Sequence, residues 1–515
     1  MERGRMECWN DGVLECWDRK PITPPLQYSN TPTLSPMSEI SFIDTTLRDG
    51  QQSLWALNMK TDAMLGAAAD MDRIGFESIE FFVSIFLKKY VREHKENPWT
   101  WLREGAKLFR NTRLRNHGGL HGSGAMEKLP QSAMKLFAER VVAYGVTLTR
   151  TSNCWNDFEE LRGEVIDLRQ IGMDTAVNLI YSVSPRHTDD YYAQKTRDAV
   201  AIDPYRICFK DVGGLLTPER ARTLIPAIMQ NAGKVPVEYH AHCNNGLAPL
   251  CYLEAIKHGI TSLHTAIPPL ANGSSQPSIL NMAKNLRALG YTPMVDEDAV
   301  KPVEKHFTAV AEREGLAIGK PFAYDESQYR HQVPGGVISN LRHQLKLVGK
   351  ENQLAETLEE AARVRADFGY PIMVTPLSQF VVSQAAINVI VGELYKEVTD
   401  QVIQYALGIW GKEAPALLEA NAKDKILKRR RAKDWENWTP PDLSLHQVRQ
   451  KLGATISDEE LLLRVYAGPD AVDALMQNGA PKPQLDAKQP LLNLLAELTK
   501  KKTVITSTSA ETAWR

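Results

Sequence analysis

The chain has 515 residues, with 61 Lys and Arg against 62 Asp and Glu, so it is long enough for a large and a smaller core and carries almost no net charge. This balance gives no electrostatic reason to expect nucleic acid or an anionic membrane as a partner. The six cysteines form no Cys-x-x-Cys pair, which indicates a reducing, cytoplasmic setting, and no run approaches the roughly 18 apolar residues of a spanning helix, so we expect a soluble protein without a transmembrane segment.

The first segment, residues 1–36, differs in composition from the rest of the chain. It repeats Trp, Cys and Glu and then becomes rich in Pro, Thr and Ser without any apolar period. Met37 directly precedes a strand-like run. We therefore expect residues 1–36 to be a disordered or non-native N-terminal extension outside the fold.

Residues 37–310 alternate eight short β-rich runs with longer helical patterns, which is typical of a parallel sheet with crossover helices. The runs cover 41–46, 76–82, 113–118, 146–153, 174–182, 206–211, 237–243 and 262–267. The Gly-rich phosphate turn of an open doubly wound sheet is missing after the first run. Eight repeats predict an α/β fold, a closed (β/α)₈ TIM barrel that forms the catalytic domain.

The remaining chain changes character. Residues 311–470 have mostly helical patterns and predict a helical C-terminal domain. Its basic run, 425–435, is more typical of a solvated helix face than of a binding patch. Residues 471–515 are expected to be a polar tail.

Polar residues at the carboxyl ends of the predicted strands are the first candidates for chemistry, because the reacting groups of such barrels lie there. Candidates of this kind follow the first, sixth and seventh strands. They are Arg48, Asp49, Gln52, Lys210, His240 and His242.

His240 and His242 predict a metal site. Side chains alternate along a strand, so both imidazoles face the same side. With an oxygen from Asp49, they form a set that suits Zn²⁺, Mn²⁺ or Co²⁺ with an open position. Alternatively, His240 and His242 are ordinary polar strand residues that bind no metal. Lys210 could likewise form a solvated ion pair with its neighbour, a contact of little consequence.

Other reactive residue types receive structural interpretations. His264 lies in mid-strand and is expected to line the core or the barrel. Cys154, Cys208 and Cys251 are expected to be small buried hydrophobic residues.

Several motifs together carry a family resemblance. The run FIDTTLRDGQQSLWA at 42–56 resembles the opening motif of a carboxyltransferase family: the domains or subunits of pyruvate carboxylase, the oxaloacetate decarboxylase alpha subunit and the transcarboxylase large-metal subunit. The likeness covers about residues 40–470, including the second domain. The further motifs follow in the family's order: ENPWTWLR, IYSVSPRHT, FKDVGGLLTP, YHAHCNNG, SSQPS, YRHQVPGG and VTPLSQ.

The resemblance implies a divalent metal held by Asp49, His240, His242 and Lys210. In such a site CO₂ carbamylates the lysine, so that Lys210 offers carboxylate oxygens. Zn²⁺, Mn²⁺ and Co²⁺ all remain candidates.

The resemblance also implies roles for three other residues. Arg48 and Gln52 would contact the keto acid or its enolate. Ser274 occupies the position of a family threonine that shuttles a proton with biotin, and both residues carry a hydroxyl. The metal and Arg48 would stabilise the negative charge that develops on the enolate oxygen.

This chain departs from the family pattern around the substrate pocket. The family's arginine for the pyruvate carboxylate is replaced by Gly119 in the best alignment, and the Phe-Asp pair of the fourth strand reads Ser152-Asn153. The loss of a bidentate clamp removes a strong charge-assisted contact. We therefore expect a divergent member that keeps the metal chemistry with a changed acyl acceptor.

The expected function is a metal-dependent carboxyltransferase subunit that moves CO₂ between carboxybiotin and an enolisable keto acid, such as pyruvate, oxaloacetate or an analogue. Neither an ATP-grasp module nor a biotin attachment site is found in the sequence. Biotin is therefore expected in trans, on a separate carrier protein, with biotin carboxylase or decarboxylase-complex subunits as partners and a homo-oligomer as the assembly.

Two alternatives remain. One is a biotin-independent metal-dependent lyase or aldol-type condensing enzyme of the same barrel superfamily, whose members do not use a carbamylated lysine. The other is a non-catalytic scaffold, which predicts erosion of the metal set. Lys210 distinguishes the expected function from the first alternative, and the intact set of Asp49, His240 and His242 argues against the second.

Overall fold

We describe the protein from a computed structural model, which covers residues 38–120, 129–439 and 442–478. The predicted N-terminal extension, 1–36, lies outside the described residues. Within the described ranges, no helix combines the length and apolar character needed to cross a membrane.

The eight predicted strands form a closed parallel barrel. Each pairs with its neighbours in chain order, and β1 pairs with both β2 and β8, which closes the ring. A short β9 extends the sheet beyond β1. The predicted TIM barrel is confirmed. The strands are β1 Glu39–Asp44, β2 Ser78–Val83, β3 Arg113–His117, β4 Val146–Thr151, β5 Asp174–Ile180, β6 Arg206–Asp211, β7 Val237–Ala241, β8 Ser262–Thr265 and β9 Thr292–Pro293.

Helices wrap the outside of the barrel and bury its outward strand faces. Their ends follow local sequence signals. Thr217 caps the helix that begins at Pro218, its hydroxyl accepting from the Arg220 N–H, and the helix stops at Gly233, whose φ of 60° favours glycine. The barrel helices are α1 Gln51–Trp55, α2 Thr61–Met71, α3 Ile85–Lys89, α4 Pro98–Thr100, α5 Gln131–Ala143, α6 Arg162–Gln170, α7 Asp189–Val200, α8 Pro218–Ala232, α9 Ala248–Lys257, α10 Ile279–Ala288 and α11 Glu297–Glu314.

A second, helical unit follows the barrel and has its own apolar core. The loop after β4 enters this core through Trp155, whose indole N–H donates to the Trp410 carbonyl at 2.9 Å. Arg365 of the unit donates to the Ser182 hydroxyl beyond β5 at 3.0 Å. The helical unit therefore packs on the end of the barrel where the strands terminate. Its helices are α12 Ser327–His331, α13 Gly335–Leu347, α14 Leu354–Asp367, α15 Leu377–Val391, α16 Asp400–Ala406, α17 Ala414–Leu417 and α18 Ala420–Leu427.

The last three described helices return to the barrel. They are α19 Leu445–Leu452, α20 Asp458–Ala467 and α21 Pro469–Asn478. The Trp99 indole donates to the Glu459 carbonyl at 3.1 Å, and Leu462, Val472 and Leu475 are buried in the barrel's cluster. The predicted helical domain, 311–470, thus contributes to two cores. Helix α21 also crosses residue 470, where we expected a polar tail, because its apolar face packs on the barrel.

Candidate active site

The turn after β1 carries the first part of the site. Asp44 accepts hydrogen bonds from the Thr46 N–H at 3.0 Å and from the Thr46 hydroxyl at 2.6 Å, which fixes the start of a tight helical turn over Thr46–Gly50. Arg48 and Asp49 lie on this turn and are buried. The turn therefore directs both side chains over the mouth of the barrel.

Asp49 meets the two histidines of β7. Its Oδ2 lies 3.0 Å from His240 Nε2 and 3.4 Å from His242 Nε2. The three side chains form a buried cluster whose donor atoms are close enough to bind one ion. Burial alone would raise the pKa of Asp49, but Arg48 and the two histidines outweigh it and hold that pKa well below its usual range. The predicted set is brought together with the carboxylate ionised.

The Nδ1 atoms of both histidines, on the far side of each ring from Asp49, have the kind of partners found at metal-ligating histidines. His242 Nδ1 donates to the Ser274 carbonyl at 2.6 Å, and His240 Nδ1 lies 3.1 Å from His264 Nδ1. These contacts leave the two Nε2 atoms facing Asp49, where a bound divalent ion would take the place of any proton that they share with the carboxylate. Burial, with Arg150 nearby, lowers the pKa of His240 well below its usual range, so this ring is neutral. Neutral imidazoles with fixed Nδ1–H groups are the ligand form, so the residues fit a divalent ion.

Lys210 lies beside this cluster. It is the penultimate residue of β6 and lies in register with His240 on β7, and only 9% of it is exposed. Burial and then the positive charge of Arg150 lower the pKa of its amine to about 8. About a tenth of the amine is therefore uncharged and nucleophilic at pH 7.

Arg48 is bound into a chain of buried charges. Its Nε donates to Glu80 Oε2 at 2.8 Å, and Arg150 donates to the other oxygen of Glu80 at 2.5 Å. Arg48 Nη2 also lies 3.2 Å from Asp49 Oδ2. Glu80 thus fixes two guanidinium groups beside the metal set, where they can stabilise negative charge.

A second buried chain supports His240 from below. Arg115 on β3 forms a bidentate pair with Glu238 on β7, at 2.6 and 3.0 Å. Glu238 Oε1 lies 3.1 Å from His264 Nε2, and His264 meets His240. Our expectation that His264 lines the barrel is thus incomplete, because this residue also holds a predicted ligand in place.

The structure places Ser274 and Gln52 differently. The Ser274 hydroxyl donates to the Ser53 carbonyl at 2.9 Å, next to the residue's contact with His242. Gln52 is exposed, and no hydrogen bond links it to the metal cluster within the described ranges. Its neighbour Gln51 is buried and donates to the Leu47 carbonyl at 2.6 Å. The structure therefore brings Ser274, but not Gln52, into contact with the cluster.

The Glu164 side chain occupies the space beside Gly119. A Cβ at this position would lie 1.7 Å from Glu164 Oε1. The positive charge in the barrel comes instead from Arg115 and Arg150 on neighbouring strands, both of which are almost fully buried. Sequence reasoning missed these arginines, although Arg115 lies only four positions before Gly119.

The cysteines mostly match their interpretation. Cys208 and Cys251 are buried, as predicted. The prediction for Cys154 is wrong, because this residue is only partly buried and its thiol contacts the Thr375 carbonyl at 3.3 Å. The loop after β4 reaches the helical unit at this point, so Cys154 packs against the edge of that unit's core.

Family comparisons match both parts of the chain. Residues 39–306 match the HMGL-like family, and residues 329–506 match the conserved carboxylase domain. The first range contains the whole barrel and the cluster of Asp49, His240 and His242. The second begins in the first helix of the helical unit.

Three curated relatives align over most of the chain. A pyruvate carboxylase subunit of Methanocaldococcus jannaschii is 33% identical over 392 residues, which cover 75% of this chain and 68% of the relative. The methylmalonyl-CoA carboxyltransferase 5S subunit of Propionibacterium freudenreichii subsp. shermanii is 30% identical, covering 72% and 74%. The 2-oxoglutarate carboxylase large subunit of Hydrogenobacter thermophilus is 30% identical, covering 82% and 66%.

Solved structures support the same fold. The carboxyl transferase domain of Rhizobium etli pyruvate carboxylase, determined with pyruvate, superposes with a TM-score of 0.75 at 22% identity over 85% of this chain and 77% of that one. Another structure of the same domain gives 0.76 at 21% identity, covering 90% and 84%. At these identities the likeness establishes the architecture of barrel plus helical unit.

Proposed function

Because this chain belongs to the carboxyltransferase family that combines an HMGL-like barrel with a conserved carboxylase domain, we propose that it is a metal-dependent carboxyltransferase subunit. It moves CO₂ between carboxybiotin, carried by a separate protein, and an enolisable keto acid. The observation that carries this proposal is the buried meeting of Asp49, His240 and His242 next to Lys210 at the mouth of the barrel.

The reaction exchanges a proton for CO₂. A carbon next to the keto group loses a proton and gains CO₂, while the ureido nitrogen of biotin loses CO₂ and gains a proton. A bound divalent ion would supply a Lewis acid that lowers the energy of the enolate. Arg48, which Glu80 holds in place, adds positive charge beside the developing oxyanion.

Ser274 is the residue proposed to pass the proton between substrate and biotin. Its hydroxyl already donates to the Ser53 carbonyl, which orients the oxygen, and its own carbonyl fixes His242. Ser274 thereby contributes its hydroxyl to proton transfer and its carbonyl to the position of a metal-binding histidine. Gln52, exposed on the same segment as Arg48, is proposed to contact the keto acid only once the substrate is bound.

Lys210 is proposed to carry CO₂ as a carbamate and thereby to become a further ligand to the ion. Carbamylation requires an uncharged amine, and the pKa of about 8 makes that form accessible. The carbamate converts a cation beside Asp49, His240 and His242 into an oxygen donor. This proposal explains why a lysine lies next to a cation site, where an ammonium group would oppose metal binding.

The acceptor is proposed to be a keto acid whose carboxylate is recognised without an arginine at the Gly119 position, where the Glu164 side chain occupies the space that a larger residue would need. A biotin carrier protein and carboxylase or decarboxylase-complex subunits are the proposed partners, since the three relatives are themselves named as subunits of larger enzymes. A homo-oligomer in the cytoplasm is the proposed state. The biotin-independent lyase alternative is not favoured, because these relatives are carboxylase and carboxyltransferase subunits.

The test is the metal content of purified protein by elemental analysis, combined with intact mass under non-denaturing conditions. We expect about one divalent ion per chain and a labile adduct with the mass of CO₂, with Lys210→Ala lacking the adduct and most of the metal. Lys234→Ala, which removes a lysine beyond α8, is the matched control. Wild-type protein without any metal would contradict the proposal.

The catalytic part has a separate test. Ser274→Ala should lose keto-acid-dependent carboxyl exchange with free biotin by roughly 10²–10⁴-fold, the contribution typical of a positioned proton-transfer group, while metal content stays unchanged. Ser274→Thr keeps the hydroxyl and should retain most of the activity. Equal loss in both variants would argue against a proton-transfer role.

A further inference from the structure

Gln276, which follows β8 on the same loop as Ser274, lies against the metal set and is fully buried. Its amide Nε2 is 3.1 Å from His242 Nε2 and 3.5 Å from His240 Nε2. Those are the two imidazole nitrogens that face Asp49. Gln276 is therefore the fourth side chain whose terminal atom reaches the centre of the cluster.

The Gln276 amide and the Asp49 carboxylate lie at similar distances from the two histidine nitrogens. Asp49 Oδ2 lies 3.0 and 3.4 Å from the two histidine nitrogens, and the Gln276 amide lies 3.1 and 3.5 Å from them. Two ligands bonded at about 2.0–2.2 Å to a common ion lie about 3.0–3.5 Å apart. The amide is thus at ligand spacing from both histidine nitrogens.

The hydrogen bonds on the other side of the amide decide which atom faces the ion. One amide atom, Oε1, lies 2.7 Å from the Thr45 hydroxyl and 3.2 Å from the Ser275 hydroxyl. A half turn of the amide exchanges oxygen and nitrogen without moving any other atom. In the turned state Nε2 donates to both hydroxyls, and Oε1 points at the cluster.

Thr45 favours the turned state. Its hydroxyl has one proton and also lies 2.9 Å from the Thr265 carbonyl, which can only accept. When Thr45 donates to that carbonyl, its oxygen is free to accept from Gln276 Nε2. The side-chain polar atoms of Thr45 and Gln276 then all have partners once the ion is bound, whereas the other orientation directs an N–H group at a bound cation.

We propose that Gln276 supplies an amide oxygen as a ligand to the divalent ion, completing a set with Asp49, His240 and His242. The inference rests on the proposed function, because it assumes that this cluster binds metal. Lys210 then completes the coordination sphere when it carries CO₂, and the ion keeps protein ligands when it does not.

The test compares Gln276→Leu with Gln276→Glu by Zn²⁺ affinity, measured by chelator competition. Leu removes the oxygen and should weaken binding by at least roughly 10-fold, the loss caused by removing even an outer partner of a metal site. Glu keeps an oxygen in place and adds charge, so its affinity should equal or exceed that of the wild type. If Gln276 instead acted through its N–H group, Glu would bind as weakly as Leu, and this result would overturn the inference.

A second readout reports the ligands directly. In Co²⁺-loaded protein, Gln276→Leu should change the intensity and position of the visible absorption bands, because the number of ligands changes. Gln384→Leu removes a fully buried glutamine of the helical unit and is the matched control for a general loss of stability. It should leave both the affinity and the spectrum at wild-type values.

The outcomes separate this inference from the proposed function. If Asp49→Asn abolishes metal binding while Gln276→Leu keeps wild-type affinity and spectrum, the metal site stands and the ligand assignment of Gln276 is wrong. If wild-type protein binds no divalent ion, both fail. Reduced affinity in Gln276→Leu, retained affinity in Gln276→Glu and a shifted Co²⁺ spectrum together support the assignment.

Discussion

The interior of the barrel and the core of the helical unit are filled in opposite ways. The barrel interior contains fully buried charges, among them Glu80, Arg115, Arg150 and Glu238. The core of the helical unit is apolar, with residues such as Phe368 and Val402 at its centre. Both regions are equally well shielded from water, so burial alone does not explain the difference.

The difference is explained by what each interior must do. A buried ion pair stabilises a fold little compared with apolar residues of similar size, because desolvation of the charges offsets their attraction. The barrel charges lead from Arg115 through Glu238 and His264 to His240, and from Arg150 through Glu80 to Arg48. They orient the site, whereas the helical unit contributes packing at the barrel mouth.

The largest expected effect comes from breaking one buried pair. Glu238→Leu leaves the Arg115 guanidinium buried without its bidentate partner, and should lower the free energy of unfolding by about 3–5 kcal/mol. The double variant Arg115→Met/Glu238→Leu removes both charges and should recover most of that loss. Denaturant unfolding of the metal-free proteins measures both values. Equal destabilisation in the single and double variants would contradict this account of the barrel.

The matching change in the helical unit should affect stability alone. Phe368 is fully buried and stacks with Tyr405 at 5.0 Å between ring centroids. Phe368→Ala should cost about 3 kcal/mol through the cavity that it leaves. Zn²⁺ affinity, measured on the folded protein, should stay at the wild-type value. A fall in Zn²⁺ affinity of roughly 10-fold or more in Phe368→Ala would contradict the distinction between the two regions.

The barrel could be predicted because its signals are local. Each strand is a short β-rich run bounded by turn residues, and eight such runs in alternation with helices leave few topologies. The C-terminal boundary could not be predicted, because α20 and α21 have amphipathic patterns that do not say which core they join. Only tertiary packing, such as the contact between Trp99 and Glu459, assigns them to the barrel.

The metal set was predictable because its residues stand at strand ends in an alternating pattern, as His240 and His242 do. The residues that support the metal set follow the same alternating strand pattern, but they lie farther from the strand ends. Arg115 lies two residues before the end of β3, and Glu238 lies two residues before His240, so both face the barrel interior. Their pairing across the barrel and the position of Gln276 depend on the closed ring, which no local pattern describes.

The junction between the two regions should be sensitive to acid. His187 is 5% exposed, beside Arg365 of the helical unit, Arg186 and the rings of Tyr191 and Tyr192. Burial, reinforced by Arg365 and Arg186, lowers the pKa of His187 to about 3. The unfolded chain takes up the proton near pH 6.5 and the folded chain only near pH 3, so stability falls as the pH drops through this window.

Between pH 7.5 and 5, this single residue should cost about 2 kcal/mol of stability. His187→Asn should therefore lose about that much less than the wild type over the same range, as measured by denaturant unfolding at each pH. His343→Asn, at an exposed position of the helical unit, is the control for loss of a histidine. Parallel pH profiles for wild type and His187→Asn would contradict the prediction.

The smallest expected effect concerns the link between the barrel charges and the metal. His264 accepts the Nδ1–H of His240 and donates its own Nε2–H to Glu238, which leaves His240 Nε2 facing the ligand cluster. His264→Leu removes the acceptor and should weaken Zn²⁺ binding by roughly 10-fold. His264→Asn places an amide oxygen near the position of Nδ1 and should restore much of the affinity.

Both His264 variants lose the contact with Glu238, so both should reduce the thermal stability of the metal-free protein to a similar extent. A purely structural role for His264 predicts that metal affinity falls equally in the two variants. If Zn²⁺ affinity recovers in His264→Asn but not in His264→Leu, at equal stability, the acceptor that faces His240 Nδ1 sets the tautomer of His240. The buried charges of the barrel would then act on the ion through the orientation of one imidazole ring.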